Sequence, residues 1–239
     1  MKRVSRLFNR KIGGYTLCTF TIILTAFQPI AANADNKTID SDTYIYEEMK
    51  QTSVKKTDFV RLDKLDKTIV QDLKYATKNN FTHKVQYNFK HAVLRRGTAE
   101  KLVKANTYLK KKYGYRMKVW DAYRPYKVQR AFWNFLPNAN YVARPNYTSG
   151  HVLGVGVDVT LVDKKGKELK MPTKFDDFSL RAWRKSESKW TSEQRRNVKI
   201  LTDAMKKYGF DTTKTEWWDY KDSERGKYKY VNVDPNRVR

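Results

Sequence analysis

The residues whose types and spacing best suit chemistry are His151 and Asp158, which lie on either side of a glycine-containing segment. An imidazole nitrogen and a carboxylate oxygen are ordinary ligands of Zn²⁺, and a chain that folds back between them aims both at one point. Gly154 and Gly156 carry no side chain, so a ligand or another stretch of backbone can approach closely there. The spacing alone is a weak signal, but histidine is scarce, with three in 239 residues. Together these features predict a metal site.

A second group of candidates, Glu216 and Asp219, flanks two tryptophans near the C-terminus. A carboxylate held against indoles loses its hydration, so its pKa rises and it becomes a competent proton acceptor near neutral pH. The alternative is that Glu216 is an edge residue beside core aromatics. With His151 and Asp158, this segment supplies the parts of a single-metal hydrolase, and metal-assisted hydrolysis is the leading hypothesis.

Arg124 follows Asp121 by three residues, directly before a proline. The two side chains could form a purely structural ion pair. Alternatively, the pair fixes the guanidinium so that it stabilises an oxyanion. The sequence leaves both interpretations open. The other two histidines, His83 and His91, lie in polar stretches where we expect surface positions.

The segments that must position these residues read as α+β, because helical patterns precede short strands without regular βαβ alternation. We expect one compact domain with a small, mostly antiparallel sheet flanked by helices. Thr98 is expected to cap the first clear helix and Gly114 to end it. The predicted helices cover residues 98 to 113, 126 to 135 and 192 to 208, and the predicted strands cover 117 to 120 and an alternating 155 to 161.

The N-terminus is typical of an exported protein. Residues 1 to 11 carry five basic side chains and no acid, an apolar stretch runs from about 15 to 30, and small residues end it at Ala34. This pattern predicts a signal peptide over residues 1 to 34, cleaved near Ala34, and hence a secreted or cell-wall-associated bacterial protein. The apolar run is short for a membrane span, and an uncleaved anchor is the alternative. No stable membrane span is expected after cleavage.

The net charge of the chain indicates which binding partners it favours. The full chain has a net charge of +25, and cleavage would leave 45 basic against 25 acidic residues. Such a field favours polyanions, which for an exported protein are wall polymers or anionic lipid headgroups. We expect no nucleic-acid partner, because no nucleic-acid-binding signature is visible. Residues 35 to 57 are expected to form a flexible leader and residues 58 to 239 the folded domain.

The segment from about Phe59 to Asp222 resembles the zinc D-alanyl-D-alanine dipeptidases of the VanX type, in peptidase family M15. That resemblance implies the fold of peptidoglycan-trimming peptidases, shared with hedgehog-like domains. Several separate segments in the right order carry it: residues 72 to 77 with 80 to 82, 120 to 125, 149 to 161, 175 to 176, and 216 to 218.

Carried over position by position, the resemblance implies a role for each site residue. His151 and Asp158 would hold one Zn²⁺ per chain, Glu216 would be the catalytic base, and Arg124, supported by Asp121, would stabilise the transition state. Three further residues would surround the substrate, D-alanyl-D-alanine or a peptidoglycan stem peptide, the last two near its ammonium end: Ser149, Tyr75 and Asp176.

The departure from the family lies at Asp219, where the resemblance leads us to expect a histidine as the third metal ligand. A His/Asp/Asp set is chemically reasonable for zinc, yet it lowers the formal charge of the centre from about +1 to zero. An oxygen-rich shell also favours harder metals such as Mn²⁺. Three outcomes stay open: an enzyme with altered metal preference, a slow enzyme, and a relative that binds wall peptides without cutting them.

Overall fold

The computed structural model describes residues 55–239. The predicted signal peptide and nearly all of the predicted leader lie outside the described residues. The last residues of the leader segment contact the domain, since the carbonyls of Lys56 and Thr57 accept hydrogen bonds from the Gly97 N–H and the Arg95 guanidinium.

A five-stranded sheet forms the centre of the fold, and only its first pairing, β2 with β4, is parallel. Two further strands, β1 and β3, pair antiparallel outside it. The expected small, mostly antiparallel sheet in an α+β fold is therefore confirmed. In chain order the strands are β1 (Phe59–Arg61), β2 (Val70–Gln71), β3 (Val93–Arg95), β4 (Arg116–Asp121), β5 (Gly156–Val162), β6 (Phe210–Thr212) and β7 (Asp219–Asp222), and the sheet order is β2-β4-β5-β7-β6.

Helices cover the sheet. The α-helices of the described chain are α1 (Leu62–Leu65), α2 (Arg96–Tyr113), α3 (Tyr126–Phe135), α4 (Gly150–Leu153) and α5 (Ser192–Lys207). Short 3₁₀ turns cover Lys74–Ala76, Leu180–Ala182, Arg184–Lys189, Arg225–Lys227 and Pro235–Arg237. The predicted helices over 98 to 113, 126 to 135 and 192 to 208 correspond to α2, α3 and α5.

The end of α2 is as predicted, but its start is not. Gly114 takes the left-handed conformation, with φ 69°, and its N–H donates back to the last turn. Thr98 is not the cap, because the helix begins two residues earlier, at Arg96. The Thr98 hydroxyl is instead buried and donates to the Asp222 carboxylate at 2.7 Å. Thr98, which the local pattern predicted as the helix cap, therefore makes a tertiary hydrogen bond instead.

The strand predicted over 155 to 161 is present as β5, and although its residues alternate between apolar and polar or small, all seven of its residues are buried. β5 is the central strand, and both of its faces are covered. Helices α2 and α5 pack against each other, with α2 also on β4 and α5 on β5. Tyr75 belongs to an aromatic cluster. Its ring centre lies 4.5 Å from that of Phe132 and 5.6 Å from that of Phe175.

The short helix α4, which carries His151, is anchored by Arg95. This arginine is 5 % exposed, and its guanidinium lies 4.1 Å from the centre of the Phe59 ring. It donates to the carbonyls of Leu153 at 3.0 Å and of Lys229 at 2.5 Å. One buried cation thus joins the end of α4 to the C-terminal segment.

Among residues 55–239, no helix is both long enough and apolar enough to cross a bilayer.

Gly154, which ends α4, yields the first testable prediction. Its φ is 76°, and a Cβ atom there would lie 2.3 Å from Cε1 of Phe59. Gly154→Ala therefore combines left-handed strain with overpacking, and we expect it to lower the free energy of unfolding by about 3 kcal/mol. Urea denaturation measures this change.

Gly226→Ala is the matched control, because a Cβ atom at that position has nothing within 4 Å. It should leave the unfolding free energy within about 0.5 kcal/mol of the parent. Equal stability of the two variants would contradict the packing described for α4.

Candidate active site

Three aspartates stand side by side across the middle of the sheet. The strand register pairs Asp121 on β4 with Asp158 on β5, and Asp158 with Asp219 on β7. Directly opposed residues on antiparallel strands point to the same face of a sheet. A register shift between Val119 and Asp121 brings the first of them into the row. All three are buried, with at most 5 % exposure.

His151 reaches this row from α4. Its Nδ1 lies 2.8 Å from the carbonyl oxygen of Ala122, so Nδ1 carries a hydrogen and donates it, and Nε2 is the nitrogen that bears the lone pair once the ring is neutral. Gly156 allows the close approach of α4 to β5, because a Cβ atom there would be 2.8 Å from the His151 backbone nitrogen. The sequence had indicated close backbone approach at this glycine.

Three potential metal-donor atoms converge here. Nε2 of His151 lies 3.5 Å from Oδ1 of Asp158 and 3.7 Å from Oδ1 of Asp219. Both of these carboxylate oxygens are buried without a hydrogen-bond partner among the described residues. Burying an unpartnered carboxylate oxygen is costly, and one nitrogen with two carboxylate oxygens suits a divalent metal ion. The donor set therefore fits a metal.

The second oxygen of each of these carboxylates is occupied. Oδ2 of Asp158 lies 3.9 Å from the guanidinium of Arg124. Oδ2 of Asp219 accepts a hydrogen bond from the Thr213 hydroxyl at 2.6 Å and lies 3.4 Å from the ammonium of Lys221. Asp219 is thus held through Oδ2, Asp158 directs Oδ2 toward a cation, and both present Oδ1 toward His151.

Asp121 offers a different grouping, since its ligand atom and those of His151 and Asp158 lie within 4.8 Å of one another. Both of its oxygens are already engaged. Oδ1 accepts from the Tyr87 hydroxyl at 2.7 Å, and Oδ2 accepts from Arg124 at 2.7 and 3.1 Å. Asp121 also lies on the Nδ1 side of the imidazole, which is committed to Ala122. Its occupied oxygens make Asp219 the better third donor.

The protonation of the row follows from its burial and charge. Burial alone would lower the pKa of His151, but the neighbouring carboxylates of Asp158 and Asp219 outweigh it and raise that pKa to about 10. Burial raises the pKa of Asp158 against the pull of His151. Burial opposes ionisation of Asp219 as well, yet Lys221 and His151 lower its pKa. A metal ion entering the site therefore displaces a proton from His151.

Arg124 is held in one orientation. It donates to Asp121 and, through Nη1, to the side-chain oxygen of Gln129 at 2.9 Å. Its guanidinium lies 5.2 Å from the centre of the Tyr75 ring and 4.9 Å from that of Phe132. The side chain is buried and lines the cavity beside the donor set. A guanidinium fixed in this way can donate to a developing negative charge without reorganising.

A cavity of about 60 Å³ lies against the donor set. Of the residues selected from the sequence, Asp121 alone does not line it and lies behind Arg124. The others line its wall: Tyr75, Arg124, Ser149, His151, Asp158, Asp176, Glu216 and Asp219.

Glu216 precedes β7 and lines the same cavity. Burial, followed by the nearby charges of Asp219 and Asp158, raises its pKa well above the ordinary value. Trp218 lines the cavity beside it, and Trp217 is fully buried with its Nε1–H donated to the Thr173 hydroxyl. A carboxyl group of raised pKa can take up a proton near neutral pH.

Asp176 and Tyr75 form the other end of the cavity. The Tyr75 hydroxyl donates to Oδ1 of Asp176 at 3.0 Å, and the Phe81 N–H donates to Oδ2 at 3.1 Å. Asp176 has a φ of 57°, a strained conformation for a residue with a side chain. Burial raises its pKa to about 7 despite these donors. An ammonium group of a ligand would compensate this buried carboxylate.

Sequence reasoning missed Thr213, Gln129 and Lys221. Only Lys221 left a signal in the sequence. It lies two residues after Asp219, and residues two apart on a strand point to the same face of the sheet. That signal requires β7 to be recognised as a strand, and no strand was predicted there. Of the two histidines expected at the surface, His83 is exposed, whereas His91 is half-buried and bonds the Pro235 carbonyl at 2.8 Å.

Comparison with known proteins identifies the class of protein. Residues 55–235 match the family model of peptidase M15, described as D-ala-D-ala dipeptidase. The match covers well over half of the chain, and the protein belongs to this family.

Three relatives carry the same name, D-alanyl-D-alanine dipeptidase. The protein from Escherichia coli is 29 % identical over 157 residues, which cover 66 % of this chain and 80 % of the relative. The one from Enterococcus faecium is 29 % identical over 183 residues, covering 68 % and 90 %. The one from Enterococcus faecalis is 27 % identical over 184 residues, covering 68 % and 90 %.

The raised pKa of Asp176 predicts a pH-dependent contribution to stability. Between about pH 4 and pH 7 the folded state keeps a proton that the unfolded aspartate, with a pKa of about 3.9, has lost. Unfolding therefore releases protons in this window, and the contribution of Asp176 to stability falls as the pH rises. Relative to Asp176→Asn, the parent protein should become less stable from pH 4.5 to pH 7.5.

Urea denaturation of both proteins with a chelator present, at several pH values, measures this difference. A stability difference between parent and variant that stays constant over the window would contradict the raised pKa.

Proposed function

We propose that this protein is a metal-dependent dipeptidase that hydrolyses D-alanyl-D-alanine or closely related peptidoglycan-derived peptides. The observation that carries the proposal is the convergence of the free Nε2 of His151 with two unpartnered, buried carboxylate oxygens beside Glu216. The relatives named as D-alanyl-D-alanine dipeptidases support the substrate class.

His151, Asp158 and Asp219 would hold the metal ion. A bound divalent ion supplies a water of lowered pKa, from about 15.7 to roughly 7 in favourable zinc sites, and polarises the scissile carbonyl. Zn²⁺ suits the imidazole and the two carboxylates. Mn²⁺ is the main competitor because two of the three donors are oxygens.

Glu216 would transfer the proton, and Arg124 would stabilise the negative charge that develops on the carbonyl oxygen. Glu216 takes a proton from the attacking water and passes it to the leaving amine, a task for which its raised pKa prepares it. Arg124 donates to the carbonyl oxygen as negative charge builds there, from an orientation that Asp121 and Gln129 already fix.

Asp176 and Tyr75 would bind the free amino terminus of the substrate, and Ser149 would contact the peptide from the cavity wall. An ammonium group gains a buried carboxylate partner here. A longer peptide would place a neutral amide at the same point and leave that carboxylate unpaired. This arrangement favours dipeptides.

The proposal predicts metal-dependent release of D-alanine from D-alanyl-D-alanine. Purified protein stripped of metal should be inactive and should regain activity with Zn²⁺ or Mn²⁺. Glu216→Gln should lower kcat by about 10²- to 10⁴-fold while metal binding persists, because it removes the base and keeps the shape. Free D-alanine and bound metal are the two readouts.

Two results would redirect the proposal. If no metal supports turnover but Asp219→His restores it, the parent chain is a wall-peptide-binding relative whose third ligand fails. If neither form cleaves dipeptide, tripeptide or stem peptide, the hydrolase proposal is wrong.

Substrate length provides a separate prediction. N-acetylation of D-alanyl-D-alanine removes the ammonium and should lower kcat/KM by on the order of 100-fold in the parent protein. In Asp176→Asn the two substrates should differ much less, because the buried charge that selects the ammonium is gone. Equal loss on acetylation in parent and variant would place the amino terminus elsewhere.

We further propose that the enzyme acts after export. The predicted signal peptide over residues 1 to 34 supports export, and the excess of 45 basic over 25 acidic residues after cleavage supports retention near anionic wall polymers, where turnover releases D-amino-acid peptides. N-terminal sequencing of protein from the culture medium or the wall fraction of the source bacterium should begin at Asp35. An intact Met1 terminus in a cytoplasmic fraction would contradict export.

A further inference from the structure

We propose that the Lys221 ammonium offsets the negative charge of Asp219, that the Thr213 hydroxyl fixes its orientation, and that the two together tune the metal site. This inference rests on the proposed metal-dependent function. It assigns Lys221 a charge-balancing role and Thr213 a positioning role, both exerted through Asp219 on the metal ion.

The geometry separates the two oxygens of Asp219. Oδ2 is held by the Thr213 hydroxyl at 2.6 Å and faces the Lys221 ammonium at 3.4 Å, whereas Oδ1 is unpartnered and lies 3.7 Å from Nε2 of His151. The Thr213 backbone N–H also donates to the Asp219 carbonyl at 3.2 Å. Asp219 can therefore offer the site one oxygen and no more.

Charge gives Lys221 its importance. Two carboxylates and a neutral imidazole cancel the formal charge of a divalent ion, and a neutral centre acidifies its water less than a positive one. The Lys221 ammonium offsets part of the negative charge of Asp219. The electrostatic potential at the metal site therefore becomes more positive. On the other side of the row, Arg124 does the same for Asp121.

The position of Lys221 is built into the fold. Its side chain follows Asp219 on the same face of β7, is 36 % exposed and lines the cavity. Its stem runs over Gly150 of α4, where a Cβ atom would lie 3.1 Å from Cγ of Lys221. The helix that carries His151 therefore also confines the lysine.

Removing the Lys221 charge and removing the Thr213 hydroxyl should change the metal affinity in opposite directions. Removing the positive charge with Lys221→Met should tighten Zn²⁺ binding at least about fivefold, because the cation no longer opposes a divalent ion nearby. The same change should lower kcat, since the centre becomes less positive. Removing the hydroxyl with Thr213→Val leaves charge unaltered, loosens Asp219 and should weaken Zn²⁺ binding by about tenfold.

Chelator competition without substrate measures the Zn²⁺ dissociation constants, and D-alanine release measures kcat and KM. Lys221→Arg and Thr213→Ser should restore values close to those of the parent, because they keep the charge and the hydroxyl. Lys199→Met is the matched control for net charge, since Lys199 pairs with Asp203 on the exposed surface of α5. It should change neither quantity. Circular dichroism with a chelator present confirms that each variant is folded.

Unchanged or weakened Zn²⁺ binding by a folded Lys221→Met would overturn the proposal. So would an unchanged Zn²⁺ affinity with a raised KM, which would make Lys221 a substrate contact. Failure of the parent protein itself to bind Zn²⁺ or cleave dipeptide would instead defeat the proposed function, so the two failures are distinguishable.

Discussion

The structure of the site depends on one electrostatic constraint, three carboxylates in register across β4, β5 and β7. Like charges directly opposed on neighbouring strands destabilise a sheet, and burial increases the cost. Each of the three faces a positively charged or donor partner: Arg124 for Asp121 and for Asp158, and Lys221 with Thr213 for Asp219. What remains uncompensated is one oxygen on each of Asp158 and Asp219. A divalent cation is the ligand that would satisfy both.

His151 is fixed relative to this row by reciprocal hydrogen bonds with the end of β4. Its Nδ1–H donates to the Ala122 carbonyl, and its own carbonyl accepts from the Arg124 N–H at 3.0 Å. The segment that positions the guanidinium therefore also selects the tautomer of the imidazole. An orienting partner of this kind raises the basicity of a ligating histidine and fixes its direction. The proposed oxyanion donor, Arg124, thus shares one rigid frame with the proposed ligand His151.

Local patterns in the sequence predicted the three long helices and suggested the candidate residues His151, Asp158, Glu216 and Arg124, whereas Ser149, Tyr75 and Asp176 came from the family resemblance. The 3.6-residue periodicity located α2, α3 and α5, and the glycine after α2 located its end. The residues chosen for their chemistry lie around one cavity, with Asp121 directly behind it. Helical periodicity and a helix-ending glycine are local signals, because each can be seen within one segment of the sequence.

The row of aspartates could not be found in this way, because antiparallel register between distant strands leaves no local trace. The register shift before Asp121 and the short strand β7 are set by pairing with β5. Thr98 was misassigned for the same reason, since its partner, Asp222, lies at the far end of the chain. Lys221 was overlooked because its importance depends on Asp219 being a strand residue.

We propose that a divalent cation binds between His151 Nε2 and the Oδ1 atoms of Asp158 and Asp219. Anomalous X-ray diffraction at the zinc absorption edge, from crystals of the zinc-loaded protein, tests it most directly. We expect one strong peak bounded by those three atoms, with Nδ1 still bonded to the Ala122 carbonyl. A peak on the Nδ1 side of the imidazole next to Asp121, or none at saturating zinc, would contradict it.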